Sequence, residues 1–162
     1  MEKNNAAETQ PVGPESTVYL REITSETVRP ICRLSDTLSE THKGMVAPNS
    51  VSIAEAYFEK RAWFRAIYAD DTPVGFVMLY DNPDKPEYFL WRMMVAGPYQ
   101  GMGFGKKAMH LLIEHVKGRP NATAFDTSCV PGEGSPLGFY TKLGFRETGD
   151  WDEGEMVLRL EL

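Results

Sequence analysis

Apolar and polar positions alternate over residues 17–23 (TVYLREI), the period-two signature of a first strand. The period then lengthens. Val28, Ile31, Cys32 and Leu34 recur at helical spacing after Thr24, with Glu26 in the first turn and Pro30 early enough to be tolerated. Residues 35–50 hold Gly44, Pro48 and Asn49 and are expected to form a long, partly irregular connection, a kind of segment that is often functional. Ser52, with Glu55 three residues on, predicts a capping box for a shorter helix whose inner face carries Ile53, Ala56 and Tyr57.

Residues 63–69 and 74–80 are rich in aromatic and β-branched side chains and flank a DDTP turn, so a hairpin is expected there. A second turn, residues 81–86, leads into 87–96 (EYFLWRMMVA), a nearly continuous apolar run that predicts a central strand buried on both faces. A glycine-rich turn over 97–105 and a helix over 106–117 follow, the latter with Ala108, Leu111, Leu112, His115 and Val116 on one face. Residues 122–130 read as another strand, 135–143 as a short helix ending at Gly144, 145–148 as the start of a hairpin and 155–162 as the last strand. The order β-α-α-β-β-β-α-β-α-β-β predicts a mixed α+β domain, one sheet with helices on its faces.

Composition adds limits. At 162 residues the chain is one domain, long enough to bury roughly 70% of its unfolded surface. Residues 1–16, polar and containing Pro11, Gly13 and Pro14, are expected to be a loose tail before a domain at 17–162. That tail lacks the apolar segment of a secretory signal, and no apolar run is long enough for a membrane span. The net charge of −6, from 23 acidic and 17 basic side chains, disfavours nucleic acid and suits a cationic partner or simple solubility. Two cysteines, Cys32 and Cys129, make no disulfide framework, and no Cys/His pair has zinc spacing, so no metal is expected and the cytosol fits.

The chemistry concentrates in Gly97-Pro98-Tyr99-Gln100-Gly101-Met102-Gly103-Phe104-Gly105-Lys106-Lys107. Glycines at alternate positions let successive backbone N–H groups point into one concavity, and the following helix adds its own unpaired N–H groups and positive dipole end. A diphosphate suits that environment. A Walker A loop fails, because Gln100 stands where its first glycine belongs and Lys107 where Ser or Thr would bind magnesium. Gly103-x-Gly105-x-x-Ala108 superficially fits a dinucleotide fingerprint, but it comes late in the chain and after an antiparallel hairpin. A turn that holds no ligand is the plain alternative.

In its setting after a buried strand and before an Ala/Leu-rich helix, Gln100-x-x-Gly103-x-Gly105 resembles the acetyl-CoA motif of the GNAT N-acetyltransferase superfamily. The segment Phe139-Tyr140-Thr141-Lys142-Leu143-Gly144-Phe145 is similar to a second hallmark of that family, and the element order agrees over residues 17–162. The chain looks like the small bacterial diamine and spermidine acetyltransferases. The resemblance implies a central, mostly antiparallel sheet of six to seven strands flanked by about four helices, with acetyl-CoA as co-substrate. It implies that backbone amides of Gly101, Met102, Gly103, Phe104, Gly105 and Lys106 hold the pyrophosphate, that Gln100 opens the turn, and that Met94 and Val95 pair with the pantetheine arm. It further implies Tyr140 as general acid toward the departing thiolate, direct transfer to a primary amine in a ternary complex, and a family in which homodimers are frequent. A protein or peptide amine as acceptor, and a non-catalytic acyl-CoA-binding module, are the alternatives.

An alkylammonium near pKa 10.4 must lose a proton before it attacks, about 4.6 kcal/mol at neutral pH from roughly 3.4 pK units. Many relatives carry acidic residues three or four positions before the strand-ending valine. Here those positions are Arg92 and Trp91, and Glu133 stands where the family often has Asn. Glu133 is the candidate for the base, with Asp126 and Glu87 behind it and His42 a lesser one. Acidic loop residues Asp70, Asp71, Asp81, Asp84, Asp150, Asp152 and Glu153 agree with a polycationic small amine as acceptor.

Overall fold

The computed structural model describes residues 11–162. Seven strands form one sheet: β1 (Val18–Arg21), β2 (Ala62–Ala69), β3 (Thr72–Asn82), β4 (Glu87–Val95), β5 (Ala124–Cys129), β6 (Arg146–Asp152) and β7 (Glu155–Glu161), in the spatial order β1-β2-β3-β4-β5-β7-β6. Every neighbouring pair is antiparallel except β4 with β5. Helices α1 (Val28–Arg33), α2 (Glu40–Lys43), α3 (Asn49–Phe58), α4 (Phe104–Lys117) and α5 (Leu137–Lys142) complete the mixed α+β fold. Among the described residues no helix is long and apolar enough to cross a membrane.

The sheet separates two apolar clusters, because alternate strand side chains point to opposite faces. On one face Phe104, Ala108, Met109, Leu112 and Val116 of α4 pack with Val77, Leu79, Leu90 and Phe125, and with Tyr140 and Phe145. On the other, Ile31 of α1 and Ile53 and Ala56 of α3 pack against Phe76, Met78 and Met94.

Several boundaries differ from the sequence expectation. The helix expected from Thr24 begins at Val28, because Thr24 N–H donates to Thr27 Oγ1 at 2.9 Å in a local turn that competes with the helix. Ser52 is not a cap. α3 begins at Asn49 after Pro48, Ser52 is wholly buried, and the Glu55 carboxylate is drawn to Arg92 at 3.1 Å rather than back along the chain. The connection over 35–50 is more ordered than its composition suggests. It holds a 3-10 turn at Leu34–Thr37 and α2, capped by Ser39. Residues 1–10 of the expected tail lie outside the described residues. Beyond them, Ser16 N–H donates to Gly13 C=O, and Lys107 Nζ donates to the carbonyls of Pro14 (2.6 Å) and Ser16 (3.0 Å), fastening this segment to α4.

Candidate active site

β4 is the strand where the sheet comes apart. Its ladder to β3 runs from Asn82↔Glu87 to Gly75↔Val95, with one bulge: Met78 faces Arg92 and Leu79 faces Leu90, so Trp91 has no partner. Its parallel ladder to β5 contains only Phe89↔Asp126 and Leu90↔Thr127 and stops one residue before that bulge. Past Leu90 the outer edge of β4 has no strand beside it. The expectation of a strand buried on both faces is therefore corrected: Phe89, Trp91, Met93 and Val95 are half-buried and line a cleft.

Hydrogen-bond alternation decides which backbone groups that cleft receives. Ala96 N–H donates to Val74 C=O at 2.8 Å, so Phe76 and Met94 form the next bonded pair, while Val95 and Met93 turn their N–H and C=O groups outward. Of the two residues singled out from sequence, Val95 presents its backbone to the opening and Met94 does not. Met93, which sequence reasoning missed, joins Val95 there. The Gln100 side chain donates from Nε2 to Val95 C=O at 2.9 Å, tying the glycine turn to the end of β4. Gln100 is thus a brace of the turn.

Among the described residues the backbone N–H groups of 101–106 donate to no acceptor; the first helical bond of α4 is Lys107 N–H to Gly103 C=O. Gly103 occupies the N-cap position at φ 83° and Gly101 lies at φ 79°, conformations that side chains disfavour. A Cβ on either would meet nothing within 4 Å, so both face open space. Gly105 differs. Its backbone is helical, and a Cβ there would lie 3.6 Å from the Phe139 ring and 3.7 Å from the Met93 methyl, an ordinary contact. A side chain at 105 would thus point toward Phe139 and Met93 rather than into the open space beside 101 and 103.

Tyr140 is placed by α5 and the turn after it. Phe145 N–H donates to Tyr140 C=O and Gly144 N–H to Thr141 C=O, with Gly144 at φ 100°, a left-handed helix stop. That reversal lays Phe145 5.6 Å from the Tyr140 ring and 5.9 Å from Phe125. Tyr140 is buried yet lines the cleft beside Thr127 and Cys129. Burial pushes its hydroxyl up to about 12, against the lowering effect of a hydrogen bond with Thr127. The phenol is therefore protonated at neutral pH. Burial likewise pushes the Cys129 thiol up, which keeps it protonated.

The cleft has a volume of about 630 Å³ and runs from β4 and Gln100 past Thr127, Ser128 and Tyr140 to Asp152, Glu153 and Glu155. A second cavity of about 630 Å³, walled by Glu59, Tyr80, Glu87, Asp126 and Arg159, shares Phe89, Trp91 and Asp152 with it. Glu133 is exposed on the loop before α5 and is not part of the cleft wall. Asp126 is held by two guanidinium nitrogens of Arg159 at 2.8 Å, a bidentate pair. His42 does line the cleft, whereas His110 is exposed and His115 stacks on Trp63 at 4.3 Å, apart from it. Glu155, not flagged by any motif, accepts a hydrogen bond from Ser128 Oγ within the cleft.

The central strands thus part at a bulge, with an uncapped glycine turn beside the free edge and a buried tyrosine below it. The chain belongs to the acetyltransferase (GNAT) family, whose model matches residues 32–145. It is similar, at 30% identity over 83 residues, to the L-2,4-diaminobutyric acid acetyltransferase of Streptomyces avermitilis; the match spans 51% of this chain and 46% of that protein. The spermine/spermidine N(1)-acetyltransferase of Bacillus subtilis is 30% identical over 103 residues, 59% of this chain and 68% of its own length. Among solved structures, the PaiA N-acetyltransferase of Thermoplasma acidophilum, in complex with coenzyme A, aligns with a TM-score of 0.66 at 17% identity, over 90% of this chain and 99% of that one. Such a likeness extends the shared fold over nearly the whole chain.

Proposed function

We propose that this protein transfers the acetyl group of acetyl-CoA to a primary amine of a small polycation, a diamine or polyamine, within a ternary complex. The observation that carries the reading is the run of unbonded amides at 101–106 next to the unpaired edge of β4. The amides and the positive end of α4 suit the pyrophosphate, and the outward groups of Met93 and Val95 suit the amides of the pantetheine arm. The thioester then lies where β4 and β5 part. Tyr140, kept protonated by burial, gives its proton to the sulfur as the C–S bond breaks.

Charge supports a polycationic acceptor. The carboxylates of Asp152, Glu153 and Glu155 in the cleft, and of Glu59 and Glu87 in the adjoining cavity, form no ion pair among the described residues. Phe89 and Trp91 lie in the shared wall, where the Trp91 ring already carries a cation, the Arg92 guanidinium at 5.3 Å. The names of the Streptomyces and Bacillus relatives, a diamino acid in one and polyamines in the other, agree with this class.

The test is release of the CoA thiol from acetyl-CoA with a triamine and with a monoamine of the same length. The triamine should show a KM lower by about tenfold at low salt, a gap that narrows as salt rises. In Asp152→Asn/Glu153→Gln the triamine KM should rise with kcat unchanged. Equal KM values for the two amines at every salt concentration would refute the polycation assignment, and no thiol release with any amine would refute acetyl transfer itself.

A further inference from the structure

Trp91 and Arg92, beside the open edge of β4, cannot take up a proton, so the proton of the attacking ammonium needs another acceptor. Two carboxylates near the opening are committed. Asp126 is bound by Arg159, and Glu55 by Arg92. Asp152 and Glu153 are exposed at the end of the β6–β7 hairpin, and Glu133 stands outside the cleft wall.

Glu155 is different in three respects. It lines the cleft, it is half-buried on the first residue of β7, and its Oε2 is fixed by the Ser128 hydroxyl while it pairs with no cation among the described residues. Strand alternation gives its position meaning. Thr127 and Cys129 of β5 point to the face that holds α5 and Tyr140, so Ser128 and the Glu155 it binds lie on the opposite face, with Asp126 and Arg159 of the second cavity. The charge of Glu155 is nonetheless felt at Tyr140, whose hydroxyl it helps to raise. Tyr140 and Glu155 thus reach one slit from opposite faces of the sheet. A thioester lying in that slit would have its sulfur toward one and the incoming nitrogen toward the other.

We propose that Glu155, oriented by Ser128, is the general base that takes the proton from the acceptor's ammonium. This rests on the acetyl-transfer reading above. The carboxylate accepts one proton, directly or through a water, leaving a neutral amine whose lone pair forms the C–N bond to the thioester carbonyl carbon. Collapse of the tetrahedral adduct breaks the C–S bond, and Tyr140 protonates the sulfur. The nitrogen's second proton, lost as the amide forms, returns through solvent to the Tyr140 oxygen, and Glu155 releases its proton to bulk water. One proton is liberated per turnover. The charged and titratable groups around Glu155 are Asp152 opposite it on β6, Glu153 in the hairpin turn, Arg159 on the same strand, Arg92 of β4 and His42 and Lys43 of α2 in the lining of the same cleft, and Cys129 and Tyr140 from the other face of the sheet.

The experiment compares two acceptors with the full chain: an alkyldiamine that is protonated at neutral pH and an amine that is already neutral there. Glu155→Gln should lower kcat/KM for the diamine by about 10²–10³-fold while leaving acetyl-CoA affinity unchanged, and should lower it less than tenfold for the neutral amine. With the diamine its rate should climb steadily with pH, because deprotonation is left to solvent. Glu155→Asp, which keeps a proton acceptor, should recover part of the loss. An equal loss with both amines would mean a merely structural role, and an undiminished diamine rate in Glu155→Gln would mean another base; either overturns the assignment. Both results leave wild-type thiol release standing, so they are distinct from a failure of acetyl transfer itself.

Discussion

β3 and β4 stay paired from Gly75↔Val95 to Asn82↔Glu87, whereas β4 and β5 meet only at Phe89↔Asp126 and Leu90↔Thr127. Charges differ between the sides as well, although Asp126 and Glu55 near the opening are held by Arg159 and Arg92. On the β1–β3 side, Asp71 binds Arg21, Asp84 binds Arg61, and Asp81, with its side chain 8% exposed, binds Arg119 at 2.9 Å. Asp70 accepts from the backbone N–H of Thr17. Around the opening, Asp152, Glu153 and Glu155 have no cation among the described residues, and the amides of 101–106 have no acceptor there. Unpaired helix-start amides and an open strand edge are satisfied by water or by a ligand, so this side is the one that has groups to offer. We assign stability to the closed side and the proposed chemistry to the open side.

That division can be broken at either side. The largest effect should come from the open side: Tyr140→Phe removes one hydroxyl and should cut thiol release by about 10²–10³-fold, with acetyl-CoA still raising the melting temperature as in the wild type. Next is Gly105→Ala. A methyl at this helical position meets only ordinary contacts, so stability should rise by about 0.5–1 kcal/mol. Because that methyl points toward Phe139 and Met93, calorimetric titration should show acetyl-CoA binding changed by less than tenfold, about 1.4 kcal/mol. Binding weakened by more than tenfold would show that the ligand needs a glycine at this position.

The closed side should behave in the opposite way. Arg119→Ala leaves the Asp81 carboxylate with His115 Nε2 at 3.6 Å as its remaining partner and should cost about 1–3 kcal/mol in denaturant unfolding, with acetyl-CoA affinity unchanged. The smallest effect concerns His115. Burial lowers its pKa, opposed by Asp81. The unfolded chain therefore takes up this proton at a higher pH than the folded one. The contribution is fully present above about pH 6.5 and is lost as pH falls through the depressed folded value. His115→Gln should flatten part of the decline in melting temperature between about pH 7 and pH 5.

The glycine turn and the Tyr140 segment were legible in the sequence because each is a local device, in which the residues that matter lie within a few positions of one another. What escaped depends on register. The apolar run at 87–96 reads as two-sided burial, but the bulge at Trp91 and the early end of the β5 ladder make one side a cleft wall. The same register places Met93 with Val95 at the opening and turns Met94 to β3. The acidic loops Asp70, Asp71, Asp81 and Asp84 suggested a cation site, yet their partners lie far along the chain, as Arg119 does from Asp81 at a separation of 38 residues. Glu155 was silent for the same reason, since Ser128 lies 27 residues away.

The functional reading stands or falls with the main chain gripping acetyl-CoA where β4 ends and α4 begins. Amide chemical shifts, followed while CoA is added to the isotope-labelled protein, observe that grip residue by residue. The largest changes are expected at 101–106, together with Met93 and Val95, with little change at Trp63, Asp81 and Arg119. Changes confined to other segments, or none at saturating CoA, would contradict it.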